Sequence, residues 1–388
     1  MSSLNFRISD FRVVDPPHRY TQSDLKAFLA RMFARAAVAD GDQPDQETSA
    51  ALFCRLLERF GCSEESIGHR FSYTPDFGSA PTDWEVFDHD DPFTMGGWTA
   101  RREAFLRFTA SIFDDLYGPG VPQEPANILH VTCTTYESPS PAQALISRRG
   151  WTGTVATQLY HHGCHAAVPA IRVASGLVAG ALAFGREGDA AVDVVHTELH
   201  TLHADPSRRT PDQIVGHTLF GDGVISYRVG LPARRGGRSL EILAIHEALI
   251  PETVDFMQWS IVPSGMHMVL SQAIPAAIGT AIAGFVSDLY ERAGLEYYPG
   301  CSTEWAVHPG GPRILDVVRD SLGLSERDMR WSRSLLYTRG NLSSASLPHL
   351  WASMLNDSSI KAGQLITSVA FGPGLTAAGV LLRLIDES

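Results

Sequence analysis

Three short segments of this chain each carry one member of a set suited to chemistry on a thioester. Cys164 lies in Gly163-Cys164-His165, His308 in Trp305-Ala306-Val307-His308-Pro309-Gly310-Gly311-Pro312, and Asn341 in Gly340-Asn341-Leu342-Ser343-Ser344. Residues this far apart in sequence can meet in space, where they supply a nucleophile, a base or ion-pair partner and an amide donor. Each segment also holds the glycine or proline that tight turns require. A sulfur nucleophile can take an acyl group from a thioester. An amide aimed at the carbonyl oxygen stabilises developing enolate or oxyanion charge, an effect on the order of 3 kcal/mol per donor in a dry pocket. If Cys164 opens the apolar helix that follows it, the helix N-terminus and a neighbouring imidazolium should favour the thiolate.

The rest of the chain must position these groups. Its 388 residues, 44% hydrophobic and 19% charged, suit a large globule or two fused layers rather than one simple core. A formal net charge of −12 argues against nucleic-acid binding and against an anionic membrane, both of which need basic surface. The five cysteines (Cys54, Cys62, Cys133, Cys164 and Cys301) are odd in number and lack CxxC spacing. No disulfide framework and no metal site is therefore expected, and a reducing, cytoplasmic setting fits. Residues 1–20 carry scattered charge and no apolar signal-like core. The apolar stretches Ala166 to Phe184 and Met268 to Val286 contain Pro169 and Arg172, and Gln272 and Pro275. They read as buried helices, not membrane spans.

Periodicity gives alternating strands and helices. Strands are expected at Ile128 to Cys133, Ala191 to Leu199, Trp305 to Val307, Leu365 to Phe371 and Ala378 to Leu384, with Val224 to Val229 and Leu240 to Ile245 as neighbours. Helices are expected at Pro139 to Arg149, capped by Ser138 or Ser140, at Pro211 to Leu219, Val269 to Ala293, Pro312 to Ser321 and Ser346 to Leu355. The acid-rich stretch Pro75 to Pro92 reads as a surface excursion. Arg234 to Arg238 reads as a linker between two halves, residues 1–235 with the thiol and residues 236–388 with the imidazole and carboxamide.

Over roughly residues 125 to 385 the chain resembles the type III polyketide synthases, the chalcone and stilbene synthase group of the thiolase-like superfamily. The segments that carry the resemblance are Cys133-Thr134-Thr135, Gly163-Cys164, Leu219-Phe220-Gly221-Asp222-Gly223, Trp305 to Pro312, Gly340 to Ser344 and Phe371-Gly372-Pro373-Gly374-Leu375-Thr376. The run Val131 to Gln143, together with Glu198 to His203, looks more like the bacterial alkylpyrone and alkylresorcinol branch than the plant one.

The resemblance implies a thiolase-like α/β fold of two stacked halves in αβαβα layers, a helical N-terminal extension and a homodimer. Cys164 would carry the acyl chain, with His308 and Asn341 assisting malonyl decarboxylation. Phe220 would be the gate between a coenzyme tunnel and a reaction cavity. Thr135, Glu198 and Ser343 would form a hydrogen-bond network that steers ring closure, and His200 and Met266 would line the cavity. Arg55, Arg59 and Arg313 would receive coenzyme A phosphates, Arg70 standing in the same basic region, although Glu58, Glu64 and Glu65 intrude there and open the alternative of a carrier-protein donor. Acyl and malonyl thioesters are the implied substrates, and no separate cofactor is needed. Two other readings remain: a condensing or acyl-transfer enzyme without iterative extension, and a degenerate acyl-binding partner, against which the complete Cys164, His308 and Asn341 set argues.

Overall fold

A computed structural model describes residues 5–80, 83–88, 90–118, 124–232 and 237–387. In chain order its elements are β1 (Arg7–Val14), β2 (His18–Thr21), α1 (Gln22–Ala39), α2 (Gln46–Phe60), β3 (His69–Ser72), α3 (Gly97–Leu116), β4 (Asn127–Thr132), α4 (Pro141–Arg149), β5 (Val155–Tyr160), α5 (Ala167–Ala183), β6 (Ala191–Leu199), α6 (Pro211–Leu219), β7 (Asp222–Gly230) and β8 (Arg238–Leu249). They continue as β9 (Met257–Val262), β10 (Gly265–Leu270), α7 (Ile274–Arg292), β11 (Thr303–Val307), α8 (Pro312–Leu322), α9 (Arg330–Arg339), α10 (Ser346–Asn356), β12 (Leu365–Gly372) and β13 (Thr376–Asp386).

Nine strands join in the order β11-β12-β13-β8-β1-β7-β6-β4-β5. The pairing repeats about the centre. β4 with β6 and β11 with β12 are parallel, while β6 with β7, β12 with β13, β7 with β1 and β13 with β8 are antiparallel. The antiparallel β1–β8 pair joins the two sets. Between them lie α5 and α10, whose Ala170, Ile171, Ala174, Leu350 and Trp351 share one core with strands from both sets. On the outer faces, α1, α3 and α4 pack against β4, β6 and β7 in a second core, and α7 and α8 pack against β11, β12 and β13 in a third. This is the expected layered α/β fold, with each sheet face covered by an apolar helix stripe.

Local signals place most boundaries. Ser140 is the cap of α4, with Gln143 completing a reciprocal capping box, and Pro141 takes the first helical position. Four expectations change. β7 and β8 are not neighbours, because β1 from the N-terminal segment lies between them, so that segment is not purely helical. Helix α7 begins at Ile274 rather than Val269, because Val269 and Leu270 pair with Gln258 and Met257 in the β9–β10 hairpin. The stretch from Pro75 is not a surface excursion: Phe77, Val86 and Phe87 are buried, and Asp76 turns inward to accept the backbone N–H groups of Glu85, Val86 and Phe87. The boundary at 235/236 and residues 234–236 of the expected linker lie outside the described residues, while Arg238, the linker's expected last residue, already opens β8. Among those described, no helix is long and apolar enough to cross a membrane.

Candidate active site

Cys164 sits in a one-turn elbow, Gly163–His165, immediately before α5. The elbow is tight because Gly163 has φ 74° and a Cβ there would stand 2.3 Å from Pro373 Cδ. Its N–H donates to Cys133 Sγ at 3.0 Å, so Cys133 braces the elbow and lines a small void beside Cys164. His308 follows β11 at the strand end, its N–H bonded to Val369 O at 2.8 Å. Both ring nitrogens are buried and unpaired. Asn341 follows α9 through Gly340, whose φ of 74° lets the chain pass 2.9 Å from Leu219 O, measured at the position a Cβ would take. The Asn341 N–H donates to Leu219 O, and Gly221 N–H donates to Asn341 O, each at 3.0 Å. That exchange ties Asn341 and Phe220 together as a bridge. Asn341 Oδ1 accepts the Ser343 N–H at 2.8 Å. Fixing the oxygen leaves the amide NH2 as the free donor, the orientation an oxyanion needs.

Cys164, His308, Asn341 and Phe220 line one cavity of about 500 Å³, whose other walls include Leu219, Met257, Ile274, Ile278 and Phe371. Burial in this dry pocket pushes the Cys164 thiol up to about 12, and the Glu198 charge adds to the effect, while hydrogen bonding from Ser343 and Asn341 works the other way. Burial also draws His308 down to about 3, with His165 adding to the shift. Burial thus works against the thiolate that the helix end is expected to favour, and it favours the neutral imidazole. A neutral imidazole still offers one N–H donor and one acceptor.

Phe220 borders both the large cavity and a second pocket of about 70 Å³ behind it, the place a gate would occupy. His200 stacks on Phe220 with centroids 4.6 Å apart and planes 16° from parallel. Met266 lines only the second pocket, whereas Met268, which sequence reading passed over, borders all three spaces around Cys164 and Phe220. The two share one strand face, and period two alone cannot separate them. The Thr135–Glu198–Ser343 network does not form. Glu198 accepts from Ser344 Oγ and from Cys133 N–H at 3.0 Å, while the buried Thr135 hydroxyl is unpaired and Ser343 stands beside Cys164.

The basic residues divide. Arg313, at the start of α8, lines the large cavity. Arg59 lies over the ring of Phe60, which lines it too, at 5.0 Å. Arg55 is exposed on α2 without reaching the cavity wall. Arg70 is no phosphate ligand: it is fully buried, donating to Phe220 O, Thr218 O and Gln22 Oε1. Glu58 is paired with Lys26 at 2.9 Å, which offsets the carboxylate expected to repel phosphate.

Known proteins share this fold. Residues 119–232 match the family described as chalcone and stilbene synthases, N-terminal domain, and residues 241–386 match its C-terminal domain. Type III polyketide synthase A of Arabidopsis thaliana is 27% identical over 68% of this chain, and type III polyketide synthase 21 of Oryza sativa subsp. japonica is 28% identical over 67%. Each match spans 66% of the relative's own length, just under two thirds. The fold superposes on PKS-I from the brown alga Ectocarpus siliculosus with TM-score 0.82 and 22% identity, covering 99% of this chain and 100% of that one. For 1,3,6,8-tetrahydroxynaphthalene synthase from Streptomyces coelicolor A3(2) the TM-score is 0.76 with 22% identity, over 98% and 99%. With both domains matched in order, and a thiolase-like fold beneath them, the chain belongs to the chalcone and stilbene synthase family.

Proposed function

We propose that this protein is a type III polyketide synthase that builds β-keto chains on Cys164 and releases them as pyrone- or resorcinol-type products. The observation that carries the reading is the convergence of Cys164, His308 and Asn341, from three distant segments, on one largely apolar cavity. An acyl thioester transfers its acyl group to Cys164: the thiol proton passes to His308 as the sulfur attacks, and His308 returns it to the departing thiolate. A malonyl thioester then sets its carbonyl oxygen between the His308 N–H and the Asn341 amide. Loss of carbon dioxide leaves an enolate whose charge those two donors hold. The enolate carbon attacks the cysteine-bound carbonyl and displaces the Cys164 thiolate, and the chain, longer by one ketide unit and now on the incoming thioester, transfers back to Cys164. Phe220 stands between the arriving thioester and the growing chain.

Coenzyme A is the favoured donor, with Arg313 and Arg59 receiving its phosphates and Lys26 offsetting Glu58, one of the three carboxylates in that region. The thioester itself supplies the acidity, so no further cofactor takes part. A homodimer in the cytoplasm, each chain folding as two halves that meet near residue 235, completes the reading. Intact-protein mass after mixing with an acyl-CoA should show one acyl adduct that Cys164→Ala loses while keeping a native circular-dichroism spectrum. An adduct that survives in Cys164→Ala refutes the reading.

A further inference from the structure

His200 lines the void beside Cys164, and the steps above leave its chemistry unused. It is 7% exposed, and its Nε2 is buried with no hydrogen-bond partner. That nitrogen stands 3.5 Å from Glu198 Oε2. The ring is clamped between Phe220, stacked at 4.6 Å, and Trp259, at 5.5 Å. It borders both the void beside Cys164 and the pocket behind Phe220. Glu198 is fully buried and cannot swing, because one oxygen holds the Cys133 N–H and the other the Ser344 hydroxyl. A buried polar group left unpaired is costly. Here a carboxylate lies near that nitrogen, and the ring borders the space next to Cys164. Met257 and Met268 form part of the void's wall, and their unbranched side chains can yield to a chain growing into it.

We propose that His200, held by Phe220 and Trp259 with the Glu198 carboxylate beside it, is the base that releases the chain by lactonisation. The proposal rests on the reading above of a β-keto chain carried by Cys164. In the step, the enol hydroxyl on the fifth carbon of the bound chain gives its proton to the His200 ring. Its oxygen forms a bond to the thioester carbonyl carbon. The carbon–sulfur bond breaks, its electron pair leaving on Cys164 as thiolate, and the imidazolium then returns the proton to the sulfur. The products are a six-membered lactone and the free thiol, with no oxidant or reductant involved. Glu198 opposes the positive charge that His200 gains in the middle of this sequence, the role a carboxylate plays behind a catalytic imidazole.

The test compares wild type, His200→Gln and Glu198→Gln by intact-protein mass and product analysis, with an acyl-CoA starter and malonyl-CoA. His200→Gln should still load and extend, so that Cys164 accumulates adducts heavier by whole ketide units while lactone release falls on the order of 100-fold, the scale of a lost general base. Glu198→Gln, which keeps a hydrogen-bonding side chain but removes the charge, should accumulate the same adducts to a lesser extent. Lactone release from His200→Gln at the wild-type rate overturns the proposal. So does a His200→Gln protein that fails to load alongside a Glu198→Gln protein that releases normally, since His200 would then be structural. Wild type that loads but never extends refutes the polyketide reading instead.

Discussion

Seven buried imidazoles make the stability of this protein steeply dependent on pH below neutrality. Burial draws His130, His165, His196, His203 and His308 each down to about 3, and His217 and His349 to about 4. In the unfolded chain a histidine titrates near about 6.5. Below that pH the unfolded state binds more protons than the folded one, so stability falls as pH falls, the loss beginning near 6.5 and continuing toward 3. At pH 5.5 each site forfeits about 1.4 kcal/mol, and the seven together about 10 kcal/mol, comparable with the whole stability of an ordinary domain. Asp222 works in the opposite direction. Burial raises it to about 6, above the ~3.9 of an unfolded aspartate, so it gains on acidification, by only about 1 kcal/mol at pH 5.5. Melting followed by circular dichroism at fixed ionic strength should show the midpoint dropping by roughly 10 °C or more between pH 7.5 and 5.5. His130 bonds Thr197 Oγ1 at 2.8 Å and Tyr160 OH at 3.2 Å, contacts a glutamine can retain. His130→Gln should therefore flatten the pH dependence by about one seventh. A midpoint that moves by less than about 2 °C would show that these rings accept protons inside the fold, and the reasoning would fail.

Two further outcomes follow from the site. Asn341→Ala should keep acyl loading on Cys164 but lose malonyl decarboxylation by a factor on the order of 100 or more, read as carbon dioxide release; unchanged release removes Asn341 from the mechanism. Arg70→Met fills the same space but strips the donors from Phe220 O, Thr218 O and Gln22. It should cost about 3 kcal/mol in denaturant unfolding, and a change below about 1 kcal/mol would mean that these acceptors find other partners.

The sequence was most informative where the governing interactions are short in range. Ser140, Pro141 and Gln143 specify the start of α4 among themselves, because a capping box involves only residues three apart. Cys164, His308 and Asn341 were recognisable because each is flanked by the glycines and prolines its own turn requires. What lay beyond reach depended on which distant segments meet. Nothing local in Arg7–Val14 announces that it separates β7 from β8, since strand partners are chosen by the packing of the whole sheet. Arg70 looked like surface charge, yet the fold encloses it under the Phe220 turn, where three acceptors offset its desolvation. Met266 and Met268 project to the same side of β10, so only the position of the hairpin over Cys164 decides which one forms the chamber wall. The sequence also named Glu198 as a chamber residue but paired it with Thr135 and Ser343. In the folded chain its oxygens meet Ser344, the Cys133 backbone and His200 instead, because a shift of one residue along a turn carries a hydroxyl from one side of the chamber to the other.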